Sequence, residues 1–511
     1  MKSFDSIIVG SGIGGLCCGS LLALEGKKVL ICEAHSKPGG VAHSFLRKGY
    51  NFESGPSLWS GLSKWPSNNP LKQILHLIDE EVEIIKYKNW KVLLPEANFE
   101  LEVGNEPFKK IIRNLRGDDV VNEWINFLKE IEELSKVVNK LPLLSHSIEK
   151  DFWDKLRLAR QLIPDLSNII KIQSGFGEIV DKHLNDPFLR NWTNLLSFLI
   201  SGMSMDDTNT AAMATLFNEW FEPNCHLEYP RGGSQAVVNA LIAGFKKNGG
   251  ELLLSSKVEE ITFNNKNANG IRLKNGKEFS SDSVVLNCDI WQSRNLLPKK
   301  IVKAWKMNIN NIKSCNSFLH IHLGFDASGI KDLPIHTIWV DDWEKGITAD
   351  RNIVVFSVPS VLDPEMAPKG KHILHGYTPA NEPWEIWEKL KGDKKSYEIM
   401  KRKRCSVFFR ALSEFIPDIE KRIDVQMLGS PLTHKHFTNT HNGSYGPAIS
   451  AAKRQFPGCR TPVNNLFICG ASAFPGIGIP AVAASGAFAA EAILGKRAYE
   501  KLTSAVTRIE K

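Results

Sequence analysis

The most constraining feature of this sequence is a glycine-rich turn near its start, placed between an apolar run and a helical pattern. The apolar run from Phe4 to Val9 fits a buried parallel strand, and Gly10 supplies a tight turn after it. Gly12 lets the backbone approach a phosphate, and Gly15 lets the following helix pack close to the strand. The first amides of that helix would point its positive dipole end at the phosphates. The pattern predicts a nucleotide-binding βαβ unit.

A second apolar strand, from Lys28 to Cys32, ends directly before Glu33. An acid at this place accepts hydrogen bonds from the adenosine ribose hydroxyls and disfavours the 2′-phosphate of NADP. Glycine-rich turns are common, but the flanking strand, the helix and the acid in register make this one specific. We therefore expect the following residues to bind a dinucleotide: Gly10, Gly12, Gly14, Gly15 and Glu33.

A second glycine-rich stretch lies at the opposite end of the chain. The run from Leu466 to Ala490 carries no charge and includes Gly470 and Gly478. Pro475 and Pro480 would break a membrane-spanning helix there, so a strand, a turn and a buried helix explain the run better. Glycine-rich turns at both ends suggest one dinucleotide clamped from two sides, which points to FAD.

The composition is that of a soluble globular protein, with 42% hydrophobic and 23% charged residues in 511. A chain of this length can bury a large core and would divide into two or more domains. The formal charge of +8 is spread along the chain, and its densest run is Lys401–Arg404. Apolar neighbours with helical spacing favour a solvated helix face over a nucleic-acid patch, so we expect no nucleic acid partner.

Nine cysteines are scattered without any CxxC pair. Cys17, Cys18, Cys32 and Cys469 fall inside the predicted nucleotide-binding elements. This pattern argues against disulfides and against zinc, and it is typical of a reducing compartment. Because the first residues already belong to the predicted strand, we expect no signal or transit peptide.

Local patterns predict further elements. Helical spacing covers Trp124 to Ile131 and also Phe152 to Ile163. A strand begins at Val258, which is placed to touch adenine through its backbone. Asn269-Gly270 and Asn275-Gly276 predict hairpin turns.

Strict alternation in Phe318–Gly324 predicts a strand in which His320 and His322 share a face with Phe318. The histidines could face the cofactor cavity, although strand histidines more often simply pack. The Thr433–His436 cluster lacks a partnering cysteine or carboxylate, so we expect a loop anchor and no metal site. Four aromatic residues could line an apolar tunnel or belong to the plain core: Trp59, Trp65, Trp220 and Phe221.

Motifs spread from end to end resemble the carotenoid isomerase (prolycopene isomerase-like) branch of the phytoene desaturase and retinol saturase family of FAD-dependent oxidoreductases. The motifs are Pro38-Gly39-Gly40, Tyr229–Gly233, Ser317–His322, Leu362–Pro364, Thr433-His434, Gly443–Pro447 and Phe474–Gly486. Glu53 stands where relatives often carry aspartate. The resemblance covers essentially the whole chain.

The resemblance implies an α/β fold class, a Rossmann-like two-dinucleotide-binding-domain flavoprotein with an inserted α+β substrate domain. Gly39 and Gly40 would be the Gly-Gly pair that contacts FAD. In the closing motif, backbone amides at the start of the last helix would meet the pyrophosphate and the flavin ring. Its matching positions are Gly470, Gly478, Ile479, Pro480, Ala481 and Val482. Ala471 stands where many relatives carry an aspartate for the ribityl chain, so that hydrogen bond must come from elsewhere.

We expect five segments along the chain. Three would form the FAD-binding domain: residues 1–72, 228–300 and 455–511. Residues 73–227 would be a helical region facing substrate and membrane, and residues 301–454 a substrate domain with an antiparallel sheet.

The implied activity is cis–trans isomerisation of a lipophilic polyene, a carotenoid or retinoid. The alternative is desaturation or saturation with net hydride transfer, which needs an electron donor or acceptor of unknown identity. A flavin amine oxidase, a porphyrinogen oxidase and a non-catalytic prenyl-lipid binder would share the fold. No catalytic side chain is required, because the cofactor carries such chemistry.

A lipophilic substrate must leave a membrane, so we expect a peripheral membrane patch. The helical stretch from Phe152 to Met203 is the candidate, with a buried helical core as the alternative. Its large apolar residues include Trp153, Trp192, Leu195, Leu196, Phe198, Leu199 and Ile200. The expected location is the cytoplasmic face of a membrane, or the plastid thylakoid in a eukaryote.

Overall fold

The computed structural model describes residues 2–140, 163–222, 225–304, 312–451 and 456–507. The strands are β1 (Lys2–Val9), β2 (Val29–Cys32), β3 (Ser44–Arg47), β4 (Tyr50–Glu53), β5 (Ile84–Tyr87), β6 (Asn89–Leu93), β7 (Asn98–Glu102), β8 (Leu227–Pro230), β9 (Glu251–Leu253), β10 (Val258–Asn264), β11 (Asn267–Leu273), β12 (Glu278–Leu286), β13 (His320–Asp326), β14 (His336–Val340), β15 (Ile353–Ser357), β16 (Lys371–Tyr377), β17 (Ile423–Gly429) and β18 (Leu466–Ile468). The helices are α1 (Ile13–Leu24), α2 (Pro70–Leu77), α3 (Asn105–Arg116), α4 (Asp118–Asn139), α5 (Leu166–Ile172), α6 (Gly177–His183), α7 (Pro187–Ser201), α8 (Thr210–Phe221), α9 (Ser234–Lys247), α10 (Ile290–Asn295), α11 (Lys299–Ala304), α12 (Trp384–Glu388), α13 (Lys394–Ser413), α14 (Ile419–Arg422), α15 (Pro431–Thr438), α16 (Ile479–Leu494) and α17 (Lys496–Thr507).

The first sheet brings the two ends of the chain together. Its order is β10-β11-β12-β1-β2-β9, and β18 pairs with the last residues of β12. β1 runs parallel to β2 and β12, with Val9 opposite both Cys32 and Leu286. Apolar parallel strands of this kind are covered by helices on both faces. Because β1, β12 and β18 are parallel, the turns after Val9 and Ile468 meet at one edge.

The second sheet has the order β17-β13-β16-β15-β14-β6-β7 and is antiparallel except for the β14–β6 pair. Leu323 and its neighbours on one face pack against Trp387 of α12 and Phe408 of α13. His320 and His322 lie on the opposite face with Phe318, as the alternation predicts. β6 and β7 come from a region for which the sequence indicates only helices.

A helical layer, α3 to α8, packs around an aromatic core. The ring centroid of Trp124 on α4 lies 4.8 Å from that of Phe108 and 5.0 Å from that of Phe221. The helical spacing around Trp124 is confirmed, whereas the stretch from Phe152 to Leu162 lies outside the described residues.

The part of the stretch from Phe152 to Met203 that forms α7 is mostly buried, as the alternative of a helical core predicts. Trp192, Leu195 and Phe198 are fully buried, because this face of the helix completes the aromatic core. Leu199 and Ile200 are half-buried and line a cavity. In the described ranges, no helix is long and apolar enough to cross a bilayer.

One of the two predicted hairpin turns is wrong. Asn275-Gly276 does form a turn, in which Gly276 N donates to Leu273 O at 2.8 Å. Asn269-Gly270 lies inside β11 instead, and Asn265 makes the preceding turn with a φ of 57°. Gly270 occurs where the register with β10 shifts, and its missing side chain leaves room for the backbone of β12.

The basic run Lys401–Arg404 is only partly a solvated helix face. Arg402 and Lys403 on α13 are exposed, as predicted. Arg404 is buried, and its Nε donates to Glu382 Oε1 at 2.6 Å. The prediction is therefore wrong for Arg404, because a buried carboxylate on the neighbouring loop pairs with it.

The uncharged stretch near the end of the chain forms β18, a turn and α16, as the sequence predicts. All nine cysteines lie in the described residues, none of them is in a disulfide bond there, and seven are buried.

Candidate functional site

A cavity of about 2640 Å³ opens where β1, β12 and β18 end. It continues along the histidine-bearing face of the second sheet and reaches α8. The ends of parallel strands are the place where α/β folds bind nucleotides. The cavity is lined by residues from the first, middle and last segments of the chain.

The N-terminal turn is held by backbone hydrogen bonds and by one side chain. Gly10 has a φ of 101°, which suits glycine, and its N–H donates to Cys32 O at 2.8 Å. Asn287 Nδ2 donates to Gly10 O at 3.1 Å and to Gly12 O at 3.4 Å. A Cβ on Gly15 would lie 2.7 Å from Asn287 Nδ2 and even closer to Gly10 O. Gly15 therefore lets α1 start directly beneath the turn.

The C-terminal turn lies against the N-terminal one. Gly470 N donates to Ser485 Oγ at 2.8 Å. A Cβ on Gly14 would lie 3.0 Å from both Gly470 N and Val482 O. α1 and α16 can approach this closely because glycines stand at the contact.

The two helix starts fit an anionic dinucleotide. In the described part of the chain, no side chain caps α1 at Gly12 or α16 at Gly478. The first amides of both helices are therefore available, and Gly12 and Gly478 both line the cavity. Among the described residues, nothing lies within 4 Å of the place where a Cβ on Gly478 would be. The residues present fit the pyrophosphate of FAD.

Glu33 is fixed at the edge of the cavity. Its Oε2 accepts from Ser11 N at 2.8 Å and Ser11 Oγ at 2.7 Å, and its Oε1 accepts from His35 N at 2.8 Å. A carboxylate offers about four acceptor positions, so capacity for a ribose hydroxyl remains. Val258, the first residue of β10, lines the same region.

The structure brings together all but one of the residues predicted to bind the cofactor. On the cavity wall lie Gly10, Gly12, Gly14, Glu33, Gly39, Gly40, Val258, Gly470, Ala471, Gly478, Ile479, Pro480, Ala481 and Val482. Gly15 lies behind the turn, where it permits close packing. Direct contact of each residue with FAD stays a prediction.

Asn287 is a site residue that the sequence motifs do not indicate, and its side-chain amide ties the N-terminal turn to the end of β12. It directly follows β12, and polar residues at that edge of a parallel sheet commonly meet the ligand. Near Ala471, the polar cavity residues are Asn287, Asp289 and Ser472. Burial raises the pKa of Asp289, whose carboxylate accepts from Gln292 N and His441 N.

Histidines form part of the cavity wall. His320 Nδ1 lies 3.0 Å from His434 Nε2, so one ring donates and the other accepts. His322 Nε2 donates to Glu53 O at 2.9 Å. Burial lowers the pKa of His322 and of His434 to about 4 and lowers that of His320 as well. These rings are neutral at neutral pH, so they offer hydrogen bonds without charge.

His434 lies on α15, so the expected loop anchor at Thr433–His436 is wrong. Pro431 at the helix start and a capping box between Ser430 and Thr433 stabilise this short helix. Within the described ranges, no group of three or more potential metal ligands occurs.

Glu53 is a positioning residue rather than a cavity group. Its buried carboxylate accepts from Ser44 Oγ at 2.8 Å and from Ser234 N, the first amide of α9, at 3.2 Å. Burial raises the pKa of this carboxyl, while the hydrogen bonds from Ser234 and Ser44 act in the opposite direction. The carboxylate thereby joins β4 to α9 behind the cavity.

The part of the cavity away from the glycine turns is largely apolar. Trp59, Trp65 and Trp220 line it as predicted, whereas Phe221 lies in the aromatic core. Further apolar wall residues are Leu196, Leu199, Ile200, Leu216, Phe318 and Phe456. This chamber suits a lipophilic ligand.

Comparisons with known proteins cover nearly the whole chain. A family described as "Flavin containing amine oxidoreductase" matches residues 13–494. Prolycopene isomerase 2, chloroplastic, from an Oncidium hybrid cultivar is 28% identical over 98% of this chain and 85% of its own. All-trans-retinol 13,14-reductase of Danio rerio is 26% identical over 92% of this chain and 82% of its own. Phytoene desaturase of Neurospora crassa is 26% identical over 96% of this chain and 84% of its own.

Among solved structures, wild-type putrescine oxidase bound to putrescine matches with a TM-score of 0.61. The match covers 96% of this chain and 98% of the putrescine oxidase chain, at 13% sequence identity. This likeness supports the fold alone.

Proposed function

Because the chain belongs to the flavin containing amine oxidoreductase family and is an FAD-dependent oxidoreductase, we propose that it isomerises a lipophilic polyene from cis to trans. Carotenoids and retinoids are the substrate class. The predicted glycine positions at both ends of the chain would hold the FAD.

One observation carries this proposal: the glycine turns and the apolar chamber belong to the same cavity. A dinucleotide at the turns would have its flavin end directed toward a space lined by aliphatic and aromatic side chains. Such a space binds hydrocarbon by removing apolar surface from water. The relatives named for polyenes support the same substrate class.

When bound, FAD would supply the electron exchange that changes bond order in a conjugated system. The chain supplies orientation and water exclusion. Tyr445 and Leu199 both line the cavity, and the Tyr445 hydroxyl joins these two parts of its wall by donating a hydrogen bond to Leu199 O at 2.9 Å. The neutral pair His320 and His434 can hold a proton at Nδ1 or Nε2 without placing a charge in the chamber. Isomerisation needs no more than this from the side chains.

The proposal is tested by incubating the FAD-loaded protein with cis-carotenoids, anaerobically with reduced FAD and separately with oxidised FAD. We expect trans products of unchanged mass, in molar excess over the flavin, and a flavin spectrum that is unchanged at the end. Liquid chromatography separates the isomers, mass spectrometry gives their mass, and absorption spectroscopy records the flavin.

A product two hydrogens lighter, formed with oxidised FAD, would show that the activity is desaturation and not isomerisation. A product two hydrogens heavier, formed with loss of reduced FAD, would indicate a saturase. Oxidation of amines or porphyrinogens with no polyene conversion would overturn the substrate class.

We also propose peripheral association with a membrane, at the cytoplasmic face or in a plastid, because the substrate class dissolves in lipid. The exposed apolar side chains Leu166 and Ile170 support this. They lie one turn apart on α5, so they share one face.

A further inference from the structure

We propose that the apolar chamber ends in a subsite for an oxygen-bearing end group, a hydroxyl or carbonyl, and that the Glu219 carboxyl binds it. This inference rests on the proposed function, because it divides that cavity into two parts. It narrows the substrate class from polyenes in general to polyenes with a polar end.

The helix α8 forms one wall of the chamber. Ala211, Thr215 and Glu219 follow at intervals of four residues, so they lie on one face, and all three line the cavity. Ala212 and Leu216 line it beside them. From Ala211 to Glu219 the helix rises about 12 Å. A ligand lying along this face would pass small and apolar side chains before reaching a carboxyl group.

Glu219 has hydrogen-bonding capacity to spare. Ser60 Oγ donates to its Oε2 at 2.7 Å, and across the described residues no hydrogen bond reaches its Oε1. Glu228, which lies nearby, differs: Leu62 N donates to it at 2.6 Å and Ser63 N at 3.1 Å. Ser63 Oγ adds a third bond. Glu228 is therefore occupied by the chain, and Glu219 is free to bind a ligand.

The surroundings of the Glu219 carboxyl favour an uncharged ligand group, such as a hydroxyl or a carbonyl. Burial raises the pKa of its carboxyl, and the negative charges of Glu228 and Glu222 raise it further. A carboxyl group of this kind can donate to a carbonyl when protonated and accept from a hydroxyl when ionised. Three other polar cavity residues are linked to the two glutamates: Ser60 donates to Glu219, Ser63 donates to Glu228, and His226 bonds to Ser63.

A pure hydrocarbon filling this end would cover Glu219 and leave its second oxygen without a partner. Leaving a buried polar group unpaired costs affinity, whereas a matched hydroxyl recovers it. The structure thus predicts a preference for the oxygenated ligand of about tenfold or more in Kd.

The test uses β-carotene and β-cryptoxanthin, which differ by one hydroxyl group, offered to the FAD-loaded protein in identical detergent micelles. Quenching of tryptophan fluorescence reports binding, because Trp59 and Trp220 line the chamber. We expect the hydroxylated polyene to bind at least about tenfold more tightly. In Glu219→Leu the preference should vanish, and Glu219→Gln should keep part of it because an amide still hydrogen-bonds. Glu178→Gln, at an exposed position on α6, is the matched control and should keep the full preference.

Flavin content is measured for every variant and should not change, because Glu219 is assigned to the end group and not to FAD. Equal binding of the two polyenes to the wild type would overturn the subsite and leave the proposed function standing. Binding of neither polyene would overturn both. Retention of the preference in Glu219→Leu would place the polar contact elsewhere. If that variant does not fold, the wild-type preference and Glu219→Gln still decide the question.

Discussion

Gly15→Ala is expected to yield a protein that no longer retains FAD. The new methyl group would lie 2.7 Å from Asn287 Nδ2 and would collide with Gly10 O, a backbone atom of the turn itself. The turn must move away from α1, and the phosphate-facing amides move with it. We expect FAD affinity to fall at least about a hundredfold, as measured by equilibrium dialysis with flavin fluorescence.

Overpacking of this kind also lowers the free energy of unfolding by about 1–3 kcal/mol. Gly458→Ala is the control, because no atom of the described residues lies within 4 Å of its new Cβ, and it should leave FAD binding unchanged. If Gly15→Ala bound FAD as tightly as the wild type, the close approach of α1 to the turn would not matter for the cofactor.

Arg404→Met is expected to lower the free energy of unfolding by about 3–5 kcal/mol. Arg404 Nε donates to Glu382 Oε1 at 2.6 Å and its Nη2 donates to Glu382 Oε2 at 2.9 Å. Glu382 is completely buried, so removing the guanidinium leaves its negative charge without a positively charged partner. Trp387 Nε1, which also donates to Oε1, is too weak a partner to compensate. Urea unfolding followed by far-UV circular dichroism measures the change.

The same measurement on Arg402→Met serves as the control, since that side chain on α13 is exposed and its loss should change stability by at most about 0.5 kcal/mol. The double variant Arg404→Met with Glu382→Gln should recover part of the loss, because it removes the buried charge. A loss below about 1 kcal/mol in Arg404→Met would mean that the pair contributes no more than a surface ion pair.

The nucleotide-facing part of the fold could be predicted because its signals are local. Strand, glycine turn, helix and acid follow one another within the first 33 residues, and each glycine has a steric reason that a single sequence reveals. The contact between α1 and α16 could be expected only from the second glycine motif. The structure supplies its reason, the close approach of Gly14 to Gly470 N and Val482 O.

The predictions that failed concern residues whose burial or pairing depends on residues far away in the sequence. Arg404 belongs to a basic run, and only Glu382, which a loop brings to it, explains its burial. The apolar face of α7 has the same composition whether it meets lipid or the aromatic core, and the surrounding helices determine that it is buried. His434 faces His320 across two elements that are far apart in sequence, so no spacing rule could indicate the pair.

The number of FAD molecules bound by the purified full-length chain tests the central claim most directly, namely that both ends of the chain form one cofactor site. Cofactor released by heat and identified by chromatography, together with the absorption spectrum, gives that number. We predict one non-covalently bound FAD per chain. A colourless protein that takes up no FAD when the cofactor is added in excess would contradict the claim.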